Sequence, residues 1–388
     1  MRLIEVNDKK TEAAFHHVPR RIYADDPVWI PHLKQDIEKV FDPQKNRIFK
    51  KGGVAKRWLV QDEGGQWAGR IAAFVNPKYS KGMEQPTGGI GFFESTDDDA
   101  VASLLFDAAE AWLKEQGMEA VDGPINFGEK DKYWGLLVEN FTDLPSYGMN
   151  YNRSYYERFF EARGYQVYYK QFIYGRKVQL DIQKPFERKR AQIESRGGFE
   201  VITARDLTEE QLAEHFCTTY NNAWGGHHGF AKMPLKQAQR TVKALKPVMD
   251  PDIIFFVLDE GKPVAFYVNI PELNQIFRHV NGNLNAIGKL KFLYHKWRKT
   301  SDIMVGLVFG IDRDYHGQGL DGFLIDIAGK KIQAKGRYHN TTLTWIGDFN
   351  PKMIRIAENL GTERTRTYHT LRKLFDPDKP FKRVPIAK

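Results

Sequence analysis

The sequence has very little cysteine and contains no long apolar run. A single cysteine, Cys217, among 388 residues excludes a disulfide framework and a metal site built from several thiolates. Cys217 lies in a helical pattern with no supporting motif around it, so we interpret it as a buried and inert thiol. No segment reaches the roughly 18 to 20 consecutive apolar residues that a membrane-spanning helix needs, and the N-terminal residues MRLIEVNDKK lack the apolar core of a signal peptide. These absences predict a cytoplasmic protein.

The histidines also lack the spacing of a metal site. Of the 11 histidines, two adjacent pairs stand out, His16 with His17 and His227 with His228. Neither pair has the i, i+4 spacing on a helix, or the combination with cysteine, that zinc sites use. We therefore expect no metal cofactor.

Size and charge narrow the class of protein only in part. A chain of 388 residues is long enough for two domains, each with its own core. The 58 basic and 49 acidic residues give a net charge of +9, which favours anionic partners such as phosphorylated cofactors, lipid headgroups or nucleic acid. Charge alone does not choose among these partners.

Both halves of the chain repeat one order of elements. In each half a hairpin and a strand are followed by a long helix, another strand, a short helix ending in glycine, and a final strand. This order predicts the α/β class, with a mixed sheet in each of two tandem domains. The predicted divisions are an N-terminal domain at 1–178, a linker helix at 179–198, a C-terminal domain at 199–376 and a basic tail at 377–388.

One stretch of the second half predicts a phosphate-binding turn. An apolar, β-rich run from Ile303 to Ile311 ends at Asp312, and a helix begins directly after Gly317 and Gly319. Because glycine has no Cβ, the backbone N–H groups of such a turn approach a ligand closely, and the helix N-terminus adds partial positive charge. This order suits a bound phosphate. By itself it also fits a tight turn in any α/β protein.

At these residues the chain resembles the GNAT superfamily of acyl-CoA-dependent N-acyltransferases. The family signature, Arg/Gln-x-x-Gly-x-Gly/Ala at a strand-to-helix turn, is matched by Asp314-Tyr315-His316-Gly317-Gln318-Gly319. A later helix that begins at asparagine and ends near Leu-Gly is matched by residues 350–361. The resemblance implies two tandem GNAT-like domains. Two positions depart from the family pattern: Asp314 replaces the usual Arg or Gln, and Ala357 stands where many members have a tyrosine that acts as general acid.

The resemblance also implies which residues bind the cofactor. The family holds the diphosphate of acetyl-CoA, or of a longer acyl-CoA, on the glycine turn and the thioester carbonyl on a backbone N–H of the preceding strand. The implied cofactor-binding residues are Phe309, Gly310, Ile311, Asp314, His316, Gly317, Gln318, Gly319, Leu320 and Asn350.

The first half differs from the second at the corresponding turn. Residues 94–99 there include four carboxylates, which repel phosphate at a helix N-terminus. We therefore expect the acyl donor in the C-terminal domain and no cofactor site in the N-terminal one. The alternative is that the acidic run only caps the start of a solvated helix.

Acyl transfer to an amine requires a base near the amine and an acid near the leaving thiolate. His227 and His228 are the first candidates for the base, because they lie in a glycine-rich loop where this fold shapes the acceptor pocket and because the pKa of histidine is near physiological pH. A pair of surface histidines would give the same pattern. Asp312 and Asp348, at the ends of neighbouring strands, are second candidates for the base, and Tyr315 is the nearest candidate for the acid.

A basic amphipathic helix is predicted at 287–299. Its apolar face consists of Ile287, Leu290, Leu293, Tyr294 and Trp297, and lysine and arginine residues surround that face. Such a helix either lies in a membrane interface or packs on the core with a solvated basic face. The first alternative predicts peripheral contact with the inner face of the membrane and favours a lipidic amine or a long acyl chain as substrate.

Together these features predict an enzyme, an N-acyltransferase that transfers an acyl group from acyl-CoA to the primary amine of a small-molecule or lipidic acceptor. Two alternatives stay open. A non-catalytic acyl-CoA-binding or scaffold protein is favoured by Asp314 and Ala357. An aminoacyl-tRNA-dependent transferase of the tandem GNAT-like type ranks below the acyl-CoA enzyme, because the sequence lacks the long helical-hairpin insertion that this group often carries. We therefore expect no nucleic-acid partner.

Overall fold

The computed structural model describes residues 1–225 and 232–387. His227 and His228, the first candidates for the catalytic base, lie outside the described residues.

The strands are β1 Arg2–Glu5, β2 Val54–Gln61, β3 Trp67–Val75, β4 Thr87–Ser95, β5 Ala120–Gly123, β6 Leu136–Glu139, β7 Gln166–Lys177, β8 Phe199–Thr203, β9 Ile254–Asp259, β10 Lys262–Pro271, β11 Ile303–Ile311, β12 Asn340–Gly347 and β13 Glu363–Leu374. The helices are α1 Lys9–Ile22, α2 Lys34–Phe41, α3 Arg47–Lys50, α4 Pro77–Ser80, α5 Asp99–Glu115, α6 Tyr156–Ala162, α7 Lys184–Arg196, α8 Glu209–Trp224, α9 Leu235–Leu245, α10 Asn274–Phe277, α11 Ala286–Trp297, α12 Leu320–Lys335 and α13 Pro351–Asn359.

All of these strands belong to one mixed sheet. Its order is β1-β2-β3-β4-β5-β13-β7-β12-β11-β10-β9-β8, and β6 pairs with β13 beside this path. In the described part of the chain, β4 with β5 and β11 with β12 are the parallel pairs, and the other pairs are antiparallel. The predicted α/β class with a mixed sheet is therefore confirmed.

The two halves exchange strands at the centre of the sheet. The last strand of the first half, β7, pairs with β12 of the second half, and the last strand of the chain, β13, pairs with β5 of the first half. β7 and β13 also pair with each other over most of their lengths. Each half of the sheet is therefore completed by a strand from the other half.

The helix α12 begins and ends at glycines in the left-handed region, with Gly319 at φ +90° before it and Gly336 at φ +60° after it. Its buried residues recur at helical spacing and face the sheet; they include Leu320, Phe323, Leu324, Ala328 and Ile332. On its other side α12 packs against α7. There Lys189 Nζ donates a hydrogen bond to Asp321 Oδ2 at 2.6 Å, and the Arg190 guanidinium donates one to Asp326 Oδ2 at 3.1 Å. The helix that links the halves in sequence thus lies on the second half in space.

The parallel strands β11 and β12 separate soon after they begin. They pair only from Ile303 to Gly306 on β11, although β11 continues to Ile311 and β12 continues to Gly347. Opposite β10 the register shifts at the same place, so that Leu307 has no partner and forms a β-bulge. The bulge and the divergence open a wedge between β11 and β12.

The corresponding wedge in the first half is filled. There β4 and β5 pair only from Thr87 to Gly89, and the Ile125 N–H then donates to the Ile90 carbonyl at 2.7 Å. A Cβ added at Gly91 would lie 1.9 Å from the Ile125 carbonyl oxygen, so the backbone of the following segment closes the gap. This packing supports the expectation that a cofactor binds in the second half, which stays a prediction.

Candidate active site

An apolar cavity of about 390 Å³ occupies the wedge between β11 and β12. This volume is within the range of pockets that hold small molecules. Its walls come from β10, β11 and β12, from α12 and α13, and from β7 and the segment after it. Its principal lining residues are Arg176, Val178, Ile182, Tyr267, Met304, Leu307, Phe309, Ile325, Leu343, Trp345, Phe349, Met353 and Ala357.

Tyr267 brings a polar group into this apolar cavity. A Cβ added at Gly306 would lie 3.7 Å from the Tyr267 ring and 3.4 Å from Asn269 Oδ1, so both side chains face the bulge. Burial raises the pKa of Tyr267 to about 12, and Thr341 and Asn269 partly oppose that rise. Thr341 Oγ1 and Asn269 Oδ1 have no hydrogen-bond partner elsewhere in the described residues. At neutral pH the cavity therefore contains a protonated phenol beside the bulge.

The glycine turn lies just beyond the cavity, past the end of β11. Gly317 and Gly319 have φ of +78° and +90°, and Gly317 is exposed with open space where a Cβ would stand. None of the described residues accepts a hydrogen bond from the N–H of Gly317, Gly319 or Leu320. From Phe309, which lines the cavity, the strand runs only about 7 Å further before it ends. Leu320 is fully buried, so the unpaired N–H groups that an anion can approach at this helix N-terminus are those of Gly317 and Gly319.

The side chains of the turn bond mainly to the turn itself. The Asp314 N–H donates to Asp312 Oδ1 at 3.1 Å, Gln318 Nε2 donates to the Asp314 carbonyl at 3.2 Å, and His316 Nε2 lies 3.1 Å from the Ile311 carbonyl. The Asp314 carboxylate is exposed and adds negative charge next to the free donors. Gly310 faces the other side of the sheet, because a Cβ there would lie 2.7 Å from the Trp224 ring.

The candidate acid and the second candidates for the base do not line the cavity. The Tyr315 hydroxyl donates to Asp259 at 2.6 Å, and this bond raises the pKa of Tyr315 to about 12. Asp312 is buried and accepts from Asn222 Nδ2 at 2.7 Å, and Asp348 forms an ion pair with Arg383. The catalytic roles assigned to these residues stay predictions, as do those of His227 and His228.

Asn350, one of the predicted cofactor-binding residues, lines the cavity and also caps α13. Its side-chain oxygen accepts from the Met353 N–H at 3.2 Å. We expect Asn350→Ala to lower the free energy of unfolding by about 1 kcal/mol, because a helix N-terminal donor loses its acceptor. Urea denaturation would measure the change. Asn359→Ala, at an exposed position near the end of the same helix, is the matched control and should change stability little; equal losses would contradict the capping role.

Sequence reasoning missed Tyr267 and Arg176. A signal for Tyr267 was present, because in the run Val264 to Ile270 the polar residues Tyr267 and Asn269 are two positions apart and so lie on one face of a strand. No comparable signal existed for Arg176. It belongs to β7 of the first half and reaches the cavity only because the halves exchange strands.

Comparison with known proteins identifies relatives of the whole chain. No family model matches the sequence. The protein called YghO from Escherichia coli is 26% identical over 380 residues, which cover 95% of this chain and 93% of that protein. A protein named bacterial ceramide synthase from Caulobacter vibrioides is 27% identical over 369 residues, covering 92% of this chain and 94% of that protein.

Solved structures with the same arrangement confirm the resemblance at the level of the fold. A tandem GNAT protein from the clavulanic acid biosynthesis pathway superposes with a TM-score of 0.54 at 10% identity, covering 97% of this chain and 99% of its own. A GCN5-related N-acetyltransferase from Sphaerobacter thermophilus gives 0.51 at 11% identity, with 98% of each chain covered. Together with the wedge, the bulge and the glycine turn, these matches show that the chain has the tandem GNAT fold.

Proposed function

We propose that this chain is an N-acyltransferase that transfers a long acyl chain from acyl-CoA to the primary amine of a lipidic acceptor. The observation that carries the proposal is the apolar cavity in the wedge, with the free N–H groups of the glycine turn beyond its end. An acyl-CoA thioester combines an apolar chain with an anionic diphosphate, and the site offers a complement to each part. The fold and the name of the Caulobacter relative support the same chemistry.

The residues near the wedge fit the parts of an acyl-CoA. The N–H groups of Gly317 and Gly319, which no described residue accepts, would bind the diphosphate. Beyond Gly306, β11 no longer pairs with β12. Apart from the Leu307 carbonyl, which accepts from Thr344 Oγ1 at 3.5 Å, the backbone groups of β11 on that side would serve the extended arm of the cofactor and the thioester carbonyl. The apolar walls favour the acyl chain through burial of its methylene groups.

Tyr267 supplies the acid that the sequence did not reveal. During transfer the amine nitrogen attacks the thioester carbonyl, the C–N bond forms, and the C–S bond breaks. The proton of the amine passes to a base, for which His227 and His228 remain the proposed groups. The departing thiolate takes a proton from the Tyr267 hydroxyl, which stays protonated at neutral pH because its pKa is raised to about 12.

The class of acceptor comes from the name of a relative and from the cavity. A ceramide is the amide of a long acyl chain with a long-chain amino alcohol, and the protein named bacterial ceramide synthase aligns over 92% of this chain. The strongly apolar lining here, with Leu343, Trp345, Phe349 and Met353, agrees with lipidic substrates. We therefore propose a long-chain amino alcohol as the acceptor.

A thiol-release assay with identification of the product by mass tests the proposed function. The acyl donor would range from acetyl-CoA to a long-chain acyl-CoA, and the acceptors would include a long-chain amino alcohol, a short amino alcohol and a lysine-containing peptide. We expect kcat/KM at least about tenfold higher for the long-chain pair than for any other pair. Acyl-CoA binding without turnover of any amine would instead favour a non-catalytic binding protein, and no binding would contradict the proposal.

A charge placed in the glycine turn tests where the diphosphate binds. Gly317→Asp should weaken acyl-CoA binding about tenfold, because a carboxylate in the turn repels the diphosphate. The matched control is Gly336→Asp at the other end of α12. Gly336 is likewise exposed, has a positive φ, and has open space at its Cβ position, so it carries the same added charge and a comparable backbone cost. Isothermal titration with the acyl-CoA measures both, and equal affinities would contradict the assigned diphosphate site.

A further inference from the structure

The helix α11 turns its apolar face outward. Five large residues on this face are exposed, by 65% at Ile287, 67% at Leu290, 58% at Leu293, 54% at Tyr294 and 76% at Trp297. No described segment of the chain covers them. Single exposed apolar residues are common, but five on one helical face form a contiguous patch of the kind that marks an interaction site. We call Ile287, Leu290, Leu293, Tyr294 and Trp297 the α11 patch.

The opposite face of α11 is the one packed on the protein. Gly288 and Phe292 are its buried residues, and Phe292 stacks on Phe277 with ring centroids 5.7 Å apart. His295 on the same side stacks on His279 at 3.8 Å. A Cβ added at Gly288 would lie 1.9 Å from the Asn283 carbonyl oxygen, so this glycine lets the helix approach the preceding loop closely. These contacts fix the orientation of the helix, and the α11 patch is therefore directed to solvent.

Basic residues border the α11 patch on both sides. At about 100° per residue, Lys289 and Lys296 lie about 100° to 120° to one side of Leu290, and Lys291 and Arg298 lie about 80° to 100° to the other. The helix sequence contains no acidic residue. Lys289, Lys291 and Arg298 are exposed and form no ion pair with any described residue. Long basic side chains at the margins of an apolar face suit a surface with anionic headgroups above an apolar interior.

We infer that α11 seats this protein on the surface of an anionic lipid bilayer, with the α11 patch at the boundary of headgroups and acyl chains. The helix lies in the interface and does not cross it, since its 12 residues extend only about 18 Å. In the described residues no helix is long and apolar enough to span a bilayer. A second copy of the chain is a poorer occupant, because the same basic borders would then face each other across the contact.

The position of α11 also connects the bilayer to the wedge. β11 is the next element after this helix. Phe292, on the buried face of α11, belongs to the same buried cluster as Val305, and Leu307 of the bulge packs against that cluster. Leu307 in turn lines the cavity. If the proposed function holds, this arrangement places the bulge close to the surface from which a lipidic amine would come. The bilayer inference itself does not depend on catalysis.

Co-sedimentation of the full chain with vesicles tests the inference. The vesicles would be phosphatidylcholine alone and phosphatidylcholine with added phosphatidylglycerol. We expect binding to the anionic vesicles, weaker binding to the neutral ones, and a further decrease as salt concentration rises. Absence of binding to anionic vesicles would overturn the inference, and so would a stable dimer in sedimentation velocity that dissociates when the α11 patch is changed.

Two pairs of variants separate the apolar and basic contributions. Leu290→Gln with Trp297→Gln should weaken partition to anionic vesicles about tenfold, because two of the most exposed apolar side chains lose their favourable transfer. Lys289→Gln with Lys291→Gln should reduce mainly the part of the binding that depends on salt. The matched control is Leu180→Gln with Ile386→Gln, two apolar residues exposed by 50% and 69% away from α11. Equal losses in the control and in the α11 patch variant would contradict the assignment. Thiol release from a water-soluble short-chain amine in the absence of vesicles should be unchanged, which keeps this test separate from that of the proposed function.

Discussion

Replacement of Tyr267 by phenylalanine is expected to lower kcat for acyl transfer about a hundredfold, while the KM for acyl-CoA changes little. The variant keeps the ring that lines the cavity and removes only the hydroxyl, which we propose as the proton donor to the leaving thiolate. Among the described residues that line the cavity, Tyr267 is the only tyrosine. Steady-state kinetics with the long-chain donor measure kcat and KM. Thermal unfolding measures stability, which should fall by about 1 to 3 kcal/mol because the variant leaves the buried oxygens of Thr341 and Asn269 without a partner.

The matched control is Tyr315→Phe. Both hydroxyl groups have a pKa raised to about 12, but the cause is burial at Tyr267 and a hydrogen bond to Asp259 at Tyr315. Tyr315 lies outside the cavity, so loss of its hydroxyl should leave kcat nearly unchanged. Loss of the hydrogen bond to Asp259 should lower the free energy of unfolding by about 1 kcal/mol. If Tyr315→Phe abolishes turnover and Tyr267→Phe does not, the acid is Tyr315, the nearest candidate in the sequence, and our assignment is wrong.

Separation of the two halves between Gly197 and Gly198 is expected to leave neither fragment folded. In the intact chain β7 of the first half lies between β12 and β13 of the second, and β13 pairs with β5 of the first. Each fragment would keep a sheet whose central edge has lost its partner strand, with unpaired backbone groups and exposed apolar residues such as Ile173 and Leu371. Circular dichroism of fragments 1–197 and 198–388 should show no cooperative thermal transition.

Co-expression of the two fragments serves as the control for this experiment. Gly197 and Gly198 are exposed and lie between α7 and β8, so a break there removes no internal contact. The fragments should therefore associate, purify together and regain a single cooperative transition. A monomeric fragment 1–197 that unfolds cooperatively near the midpoint of the full chain would show that the exchanged strands are dispensable.

The local elements near the site were predictable because their signals lie close together in sequence. The apolar run of β11, the glycines at positions 317 and 319, and the helical spacing of Leu320, Phe323 and Leu324 depend on backbone sterics and on one buried face. For α11 the amphipathic pattern was equally clear, but it left two orientations open. The structure shows that the face with Gly288 and Phe292 is packed against the protein and that the face with Leu290 and Trp297 is exposed. Gly288 allows the helix to approach the preceding loop closely, and this contact fixes the orientation of α11. The hydrophobic periodicity of the sequence does not predict such a contact.

The sequence by itself determined the order of elements, their repetition in two halves, and the strand, glycine turn and helix from which a phosphate site is predicted, since each element follows from residues a few positions apart. Only the tertiary structure decided that the halves exchange β7 and β13, that the wedge is open in the second half and filled by Ile125 in the first, and that Tyr267 and Arg176 meet in one cavity. Those features depend on strand pairing and side-chain packing between residues far apart in the chain. The free energy of such contacts depends on which surfaces pack together, and local sequence patterns do not predict which surfaces do so.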